Sequence, residues 1–233
     1  MAPDTPPPSV GASTGRPEVA ASGGYAVEPG GSTLGVLVSG RGSNLEAIFE
    51  AIERGELSAR VGIVLSSRAD APALARAAAR GVPARVIAPK EYGSRAEEGA
   101  AIVAALREAG AHLIVLDGYG RIFDPCVVRA YPYRILNIHP SLLPAFAGGM
   151  APRPQRDALA AGVKVSGCTV HFVTEEVDAG PILAQATVHV LDGDTVETLS
   201  ERILEQEHRL LPQAIALALS GRVRIEGRRA VQR

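Results

Sequence analysis

The chain has few of the residues that would indicate a metal centre or a disulfide framework. Its 233 residues include only two cysteines, Cys126 and Cys168, and both lie in apolar stretches. Neither belongs to a C-x-x-C or Cys/His cluster of the kind that zinc sites use. A disulfide would require an oxidising compartment, and a reactive thiol would require an activating neighbour that the sequence does not identify. We therefore predict two plain core thiols.

Strong charge, stacking aromatics and long apolar runs are also missing. The formal net charge of -1 gives no field that would attract nucleic acid or an acidic membrane, so an anionic ligand must be held by a local site. Tryptophan is absent and aromatic residues make up 4% of the chain, which leaves no evident stacking platform for bases. No run approaches the roughly 18 apolar residues of a membrane span, and no signal peptide is recognisable. The sequence indicates no nucleic acid or membrane partner and favours a cytoplasmic location.

The first 32 residues differ in composition from the rest. They contain the stretches PDTPPPS, GAST, ASGG and EPGGS, a mixture of Pro, Gly, Ser and Ala without a period and with little to bury. We predict a disordered tail over residues 1–32 and a single domain over residues 33–233. A docking role for the tail has no specific residue behind it.

From Thr33 onward, short β-branched runs alternate with longer helical patterns, which is typical of an α/β fold. Strands are predicted near Gly35 to Ser39, Arg60 to Leu65, Ala84 to Ile87, Leu113 to Leu116 and Ile135 to Ile138. Helices are predicted between them, near Asn44 to Arg54, Pro72 to Ala79 and Arg95 to Glu108. Near-continuous apolar strands joined by helices predict a Rossmann-like, mostly parallel sheet with helices on both faces. Such sheets bind ligands beyond the carboxyl ends of their strands.

The pattern changes after residue 164. Two strand-like runs predict a β-hairpin added to the sheet edge: Val165 to Val173 and Ile182 to Val190. Asp194 is then predicted to open a long helix with Glu197 as its capping-box partner, and Gly221 lies just past its end. Pro212, inside this span, is expected to kink or divide the helix.

The decapeptide ILNIHPSLLP places two polar residues in a buried strand. Asn137 and His139 are two positions apart, so their side chains point to one face, and Pro140 ends the strand beside them. An asparagine amide can donate to an oxygen that is gaining negative charge, and a histidine exchanges protons near neutral pH. The alternative is a histidine that is merely satisfied within the core. We favour a functional pair.

The stretch SGRGSNL joins the first predicted strand to the first helix. Gly40 and Gly42 permit a tight turn, while Ser43 and Asn44 provide an N-cap and free N–H groups at the positive end of the helix dipole. This predicts a site for a phosphate-bearing ligand, although a plain strand-to-helix turn remains the alternative. The stretch is neither a Walker loop nor G-x-G-x-x-G, which disfavours a nucleoside triphosphate or a dinucleotide.

Other candidates lie later in the chain. If the hairpin folds back beside the Asn137 strand, Asp178 in the turn TEEVDAGP could approach His139 and favour its charged form; otherwise this is a solvated acidic turn. His171 could add a polar group or be an ordinary strand residue. Arg121 could line the same cleft or lie on the surface, and Glu207 has the spacing of a solvated helix face.

In this order and at these separations, SGRGSNL, NIHPSLLPAF and VHFVTEEVDAGP resemble the phosphoribosylglycinamide formyltransferases of the folate-dependent formyltransferase superfamily. The likeness extends from about Leu34 to Gly221. It implies the formyltransferase fold and the transfer of a formyl group from 10-formyltetrahydrofolate, as co-substrate, to the amine of glycinamide ribonucleotide in purine biosynthesis. It also implies small-molecule partners only, a monomer or homodimer, and no metal.

The resemblance also implies roles for individual residues. The implied catalytic group is Asn137, His139 and Asp178, in which Asp178 keeps His139 charged so that it can stabilise the oxyanion with Asn137. The implied ribonucleotide-binding residues are Gly42, Ser43 and Asn44 for the phosphate and Glu207 for the rest. The implied folate-binding residues are Arg95, Gly120, Arg121, Ile122 and Phe123, together with Asn137.

Two departures from the family pattern qualify this interpretation. Ala147 takes a position where the family usually has proline, in a loop that is a few residues longer, and Asp117 replaces a small apolar residue and could alter the folate side of the cleft.

A formyltetrahydrofolate deformylase would carry an extra N-terminal domain, and a methionyl-tRNA formyltransferase an extra C-terminal domain and a basic surface. A non-catalytic binding module of the same fold is a third alternative, and the presence of all three catalytic residues argues against it.

Overall fold

A computed structural model describes residues 32–232, and the predicted tail, apart from Ser32, lies outside the described residues. The strands are β1 Thr33–Val38, β2 Arg60–Ser66, β3 Ala84–Val86, β4 Leu113–Asp117, β5 Ile135–His139, β6 Val165–Phe172, β7 Ile182–His189, β8 Val223–Glu226 and β9 Arg229–Gln232. The helices are α1 Ser43–Glu53, α2 Pro72–Ala79, α3 Arg95–Glu108, α4 Pro125–Ala130, α5 Arg153–Ala161 and α6 Val196–Leu219. Each predicted strand and helix is present to within a residue or two at its ends.

The strands form one nine-stranded sheet in the order β3-β2-β1-β4-β5-β6-β7-β9-β8. The first five are parallel to one another, as predicted from their apolar runs. Every residue of β1 and of β4 is buried because helices cover both faces of the sheet. The α/β fold with a mostly parallel sheet is therefore confirmed.

Two hydrophobic clusters flank the sheet. On one face, α1, α2, α5 and α6 pack against β1, β4 and β5, and fully buried side chains such as Leu45 and Ile203 join the cluster. On the other face, α3 and α4 pack through Leu106 and Val127. Strand order reverses between β1 and β4, so a crevice opens at their carboxyl ends, where ligands of such sheets bind.

The predicted hairpin is formed by β6 and β7, and it joins the sheet through an antiparallel pairing of β6 with β5. This pairing places His171 directly opposite Asn137. The hairpin does not end the sheet, because β9 pairs in parallel with β7 and β8 pairs with β9. This last hairpin was not predicted from the sequence, because its two strands are only four residues long and each carries an arginine.

The N-terminus of α6 lies one residue later than predicted. Thr195 is the N-cap and forms a reciprocal capping box with Thr198, in place of the expected Asp194 and Glu197. The carboxylate of Asp194 instead accepts two hydrogen bonds of 2.8 Å from the guanidinium of Arg202. Threonine and aspartate are both good N-caps, so two adjacent candidates leave the predicted helix start uncertain by one residue.

Pro212 does not divide α6, which runs uninterrupted from Val196 to Leu219. Proline removes one backbone donor, but Pro212 and its neighbour Leu211 are both buried on α6. Burial of these apolar side chains offsets the lost hydrogen bond. Gly221, with φ 68°, follows the helix end as predicted.

Cys168 is buried and Cys126 is half-buried, and both are free thiols. Burial raises the pKa of Cys168 to about 12, which makes it inert as a nucleophile at neutral pH.

Among residues 32–232, no helix combines the length and the apolar character that crossing a membrane requires.

Packing of α6 against the sheet is expected to carry much of the stability. Leu199 is 0% exposed on α6, whereas Leu191, in the loop before it, is 55% exposed. Leu199→Ala should lower the free energy of unfolding by about 2–5 kcal/mol because it leaves a cavity. The same truncation at Leu191 should change it by less than about 0.5 kcal/mol. Urea denaturation of both variants measures the difference, and equal losses would contradict this account of the core.

Candidate active site

A cavity of about 590 Å³ opens at the carboxyl ends of β1, β4 and β5. Its walls are the N-terminus of α1, the segment after β4, the loop after β5 and the turn between β6 and β7. The cavity therefore lies at the crevice that the strand order creates. All three residues of the predicted catalytic group line it: Asn137, His139 and Asp178.

Asn137 and His139 project from the end of β5 on the same side. His139 is 3% exposed, and Asn137 is half-buried. The Nδ2 atom of Asn137 lies 3.1 Å from Nε2 of His171, the residue opposite it on β6. His171, for which the sequence left two interpretations open, is thus 2% exposed and in contact with this group.

The turn between β6 and β7 brings Asp178 to the same place. Its Oδ2 lies 3.4 Å from Nδ1 of His139, and its Oδ1 lies 3.5 Å from Nε2 of His171. The N–H of Gly148 also donates to Oδ2 at 2.8 Å. The turn is tight: a Cβ at Gly180 would lie 1.8 Å from the carbonyl oxygen of Phe172, so only glycine fits there.

The charge state of the pair differs from the sequence-based expectation. Burial lowers the pKa of His139 and outweighs the charge of Asp178, which acts to raise it. Burial acts to raise the pKa of Asp178, but hydrogen bonds from His171 and Gly148 and the charge of His139 hold it below its usual value. The free protein at neutral pH therefore holds an ionised Asp178 next to a neutral His139, because desolvation opposes the imidazolium.

The other ring nitrogen of His139 contacts the loop after β5. Nε2 lies 3.1 Å from the carbonyl oxygen of Phe146, which can only accept, so Nε2 carries the ring proton of the neutral form. Nδ1, facing Asp178, is then the position that gains a proton when the ring becomes charged. Phe146 itself has φ 56°, in the left-handed region.

The turn between β1 and α1 forms the opposite end of the cavity. Gly42, with φ 70°, is the N-cap, so the cap is not the predicted Ser43 or Asn44 side chain. A Cβ at Gly42 would lie 2.6 Å from that of Ala73, so the turn is packed directly on α2. The N–H groups of Ser43 and Asn44 have no acceptor among residues 32–232, whereas that of Leu45 donates to Asp117 Oδ2 at 2.9 Å.

Two buried carboxyl groups lie below this turn. Glu207 is 8% exposed and accepts a hydrogen bond of 2.9 Å from Asn44 Nδ2, so it is not on a solvated helix face. Burial and the nearby charge of Asp117 raise the pKa of Glu207 to about 7. Burial also raises the pKa of Asp117. Asp117 faces α1, which corrects the expectation that it would alter the folate side of the cleft.

The segment after β4 forms the third wall. Gly120, Arg121, Ile122 and Phe123 all line the cavity. Arg121 donates two hydrogen bonds, of 3.0 and 2.9 Å, to the buried Glu98 of α3. Arg95 does not line the cavity; its guanidinium donates to the carbonyl oxygens of Ile122 and Phe123, at 2.8 Å each, and so supports the segment from behind.

This end of the cavity is apolar at its mouth. Ile122, Met150 and Val177 are 64%, 49% and 47% exposed, and they come from three separate loops around the opening. The sulfur of Met150 approaches Gly120 so closely that a Cβ there would lie 3.0 Å from it. Exposed apolar side chains facing one opening are suited to a flat organic ligand.

Several contributors to the site were not recognised in the sequence: Glu98, Phe146 and Met150. Glu98 lies on a helix whose polar residues carry no periodic signal, and the other two lie in an irregular loop. The burial of Asp117 could have been inferred, because it follows an apolar strand without a turn residue between. Among the described residues, no group of three or more His, Cys, Asp or Glu side chains is arranged to hold a metal.

The raised pKa of Glu207 makes stability depend on pH. Between its ordinary pKa of 4.5 and about 7, the folded protein binds more protons at this site than the unfolded chain does. Its contribution to stability is therefore full below about pH 4.5 and is lost as pH rises through about 7, a change of about 3 kcal/mol. Glu207→Gln removes this dependence, so the variant should gain stability relative to the wild type between pH 5 and pH 8.

Glu205→Gln is the matched control, because Glu205 is exposed on the same helix. Its stability difference from the wild type should stay constant over this range. Urea denaturation at pH 5 and pH 8 measures both variants, and a Glu207→Gln difference that is the same at both pH values would refute the assignment of a buried, proton-binding Glu207.

Comparison with known proteins identifies the family. The formyl transferase family model matches residues 33–215. Phosphoribosylglycinamide formyltransferase of Haemophilus influenzae is 39% identical over 193 residues, which cover 83% of this chain and 90% of that protein. The crystal structure of glycinamide ribonucleotide transformylase 1 from Symbiobacterium toebii superposes with a TM-score of 0.84 at 51% identity, covering 87% of this chain and 94% of that one.

Other relatives are either much longer proteins or more distant in sequence. The trifunctional purine biosynthetic protein adenosine-3 of Gallus gallus is 47% identical over 82% of this chain, but the match covers only 19% of that protein. The chain thus spans about a fifth of the length of these trifunctional relatives. A formyltetrahydrofolate deformylase structure from Pseudomonas syringae is more distant, at 25% identity with a TM-score of 0.80. The chain belongs to the formyl transferase family and, within it, to the phosphoribosylglycinamide formyltransferases.

Proposed function

We propose that this chain transfers the formyl group of 10-formyltetrahydrofolate to the primary amine of glycinamide ribonucleotide, with Asn137, His139 and Asp178 as its catalytic group. The observation that carries the proposal is the convergence of these three side chains in one cavity with two unlike ends. One end is an anion-binding helix N-terminus, and the other has an apolar mouth. A phosphate-bearing substrate and a folate would meet between them.

In this reaction, the amine adds to the formyl carbon and negative charge develops on the formyl oxygen. The Asn137 amide and a ring N–H of His139 are the donors available to that oxygen at the end of β5. The bond between the formyl carbon and N10 of the folate then breaks, and the proton that the amine loses goes to N10. Asp178, kept ionised, favours proton uptake by His139 as charge develops.

The neutral His139 of the free protein suits a group that gains charge only during the reaction. Its ring stays neutral while the cavity awaits substrate, and the carboxylate near Nδ1 stabilises the imidazolium when a proton arrives. The Nε2–H group donates to the Phe146 carbonyl, so a substrate oxygen that accepts from Nε2 must replace that carbonyl. Movement of the loop after β5 is therefore part of the proposed cycle.

The folate end has groups that match its ligand. The segment from Gly120 to Phe123 lines the cavity, and the Arg95 guanidinium holds the carbonyls of Ile122 and Phe123 in place. We propose that the pterin edge pairs with this backbone and that Ile122, Met150 and Val177 cover the rest of the ligand. Arg95 then acts by supporting the segment. Glu207 and Asn44, at the other end, would bind the ribonucleotide.

One assay tests the function against the deformylase alternative. The protein is incubated with 10-formyltetrahydrofolate, with and without glycinamide ribonucleotide, and folate turnover is followed by absorbance. We expect turnover that requires the ribonucleotide and produces its formylated form. Turnover that is independent of the ribonucleotide would indicate a hydrolase, and the absence of turnover in both arms would indicate a binding module.

Substitutions in the catalytic group should act on the rate. His139→Ala and Asp178→Asn should each lower kcat about a hundredfold or more, because each removes stabilisation that exists only in the transition state. The apparent KM for the ribonucleotide should change little. Ser43→Ala should show the opposite pattern, a raised KM with a nearly unchanged kcat. Steady-state kinetics of the three variants distinguish these patterns, and a kcat that survives at His139→Ala would reject the assigned role.

A further inference from the structure

We propose that Arg41 is a phosphate-binding residue of this site and provides the cation that its helix N-terminus alone does not supply. This inference rests on the proposed function, since it concerns the phosphate of the same substrate. Arg41 is the third residue of SGRGSNL, lies directly before the Gly42 N-cap, lines the cavity and is exposed.

The charges around the cavity leave an anionic substrate with few partners. The lining contains five carboxyl residues and two arginines, and no lysine. One of the arginines, Arg121, is committed to Glu98 through two hydrogen bonds. Arg41 has no acidic partner within ion-pairing distance among residues 32–232. It is therefore the cavity cation that remains available to a phosphate within the described part of the chain.

The N-terminus of α1 offers fewer N–H groups to a phosphate than a helix N-terminus usually does. Asp117 accepts the N–H of Leu45 from below, so this N–H group of the first turn is not available to a ligand. The N–H groups of Ser43 and Asn44 have no acceptor among residues 32–232. In addition, Oδ1 of Asn44 is buried and has no hydrogen-bond partner in the described part of the chain. It requires a donor, which a phosphate dianion cannot provide. An internal carboxylate and an acceptor atom thus adjoin the place where a phosphate must bind. A neighbouring guanidinium offsets both.

Neighbouring residues hold the Arg41 backbone in position. The Nε atom of Arg76 on α2 donates to the carbonyl oxygen of Arg41 at 3.0 Å, while its Nη1 binds Glu46 at 2.7 Å. The Arg41 side chain remains free to point into the cavity, where its charge acts to lower the pKa of Asp117. A guanidinium can donate two parallel hydrogen bonds to a phosphate.

Helix α6, on the other side of the site, supplies no cation to the cavity lining. Its residues in the cavity lining are Leu204 and Glu207, an apolar side chain and a carboxyl group. Attraction for the phosphate must therefore come from the turn before α1. Because α6 contributes no cation, we assign the positive charge of the phosphate subsite to Arg41.

Steady-state kinetics of Arg41→Gln test the inference. We expect the KM for glycinamide ribonucleotide to rise roughly tenfold to a hundredfold with a nearly unchanged kcat, the size of a lost hydrogen bond to a charged group. Arg41→Lys should recover part of the loss, because a point charge replaces a bidentate donor. The increase of KM with ionic strength should be shallower for Arg41→Gln than for the wild type.

Arg60→Gln is the matched control, since Arg60 is exposed at the amino end of β2, away from the cavity. It makes the same change of charge and should leave both parameters unchanged. An Arg41→Gln variant with the wild-type KM and salt dependence would overturn the inference while the proposed function stood. A fall in kcat alone would also overturn it.

A separate measurement keeps the two proposals distinguishable. Titration calorimetry of inorganic phosphate with the wild type, Arg41→Gln and Arg60→Gln requires no turnover. Weaker phosphate binding by Arg41→Gln than by the other two proteins supports the inference even if the wild type fails to formylate the ribonucleotide. Equal binding by all three overturns it.

Discussion

The site depends on one carboxylate that has no guanidinium or ammonium partner among residues 32–232. Asp178 is held instead by the N–H of Gly148 and lies between two imidazoles, His139 at 3.4 Å and His171 at 3.5 Å. A permanently charged partner would neutralise Asp178 at every pH, whereas the His139 imidazole is positive only when it is protonated, so the charge of Asp178 stays available to that ring. The antiparallel pairing of β6 with β5, which sets His171 opposite Asn137, makes this arrangement possible.

At the opposite end of the cavity, the acidic groups are buried below the turn between β1 and α1. Asp117 and Glu207 are 6% and 8% exposed, and burial raises the pKa of both carboxyl groups. Asn44 joins them to the first turn of α1 through its hydrogen bond to Glu207. These contacts place an excess of hydrogen-bond acceptors beside the turn that is proposed to bind the phosphate. Positive charge at the surface of that turn then matters more than it would in a neutral site.

Much of the fold and of the candidate site could be predicted because the signals are local. The alternation in ILNIH gives the shared face of Asn137 and His139, and apolar runs with intervening helices give the parallel sheet and hence the edge where the cavity lies. The partners of His139 and Glu207 depend instead on distant segments. The Phe146 carbonyl comes from an irregular loop, and the burial of Glu207 depends on how α6 crosses the face that α1 covers.

Two further expectations differ from the structure for reasons that composition does not reveal. Asp117 was expected to be able to alter the folate side of the cleft. In a strand, however, the face of a residue depends on its parity, and Asp117 shares the parity of Val115, which packs in the cluster with α1. The charged form of His139 was inferred from a nearby carboxylate alone. Because the ring is 3% exposed, desolvation outweighs that single charge. Burial, which a sequence gives only indirectly, decides the balance.

Backbone strain lies on both sides of the His139 ring. Phe146 and Asp178, which contact the two nitrogens of His139, have φ values of 56° and 51°, in the left-handed region that disfavours residues other than glycine. Each such residue costs roughly 1 kcal/mol or more, and only its surroundings maintain it. Asp178 is fixed by the tight turn at Gly180, so its strain stays with the fold. Phe146 lies in the loop whose carbonyl, in the proposed cycle, gives up His139 Nε2 to a substrate oxygen. Relaxing that residue would return part of the strain energy and so lower the cost of the exchange.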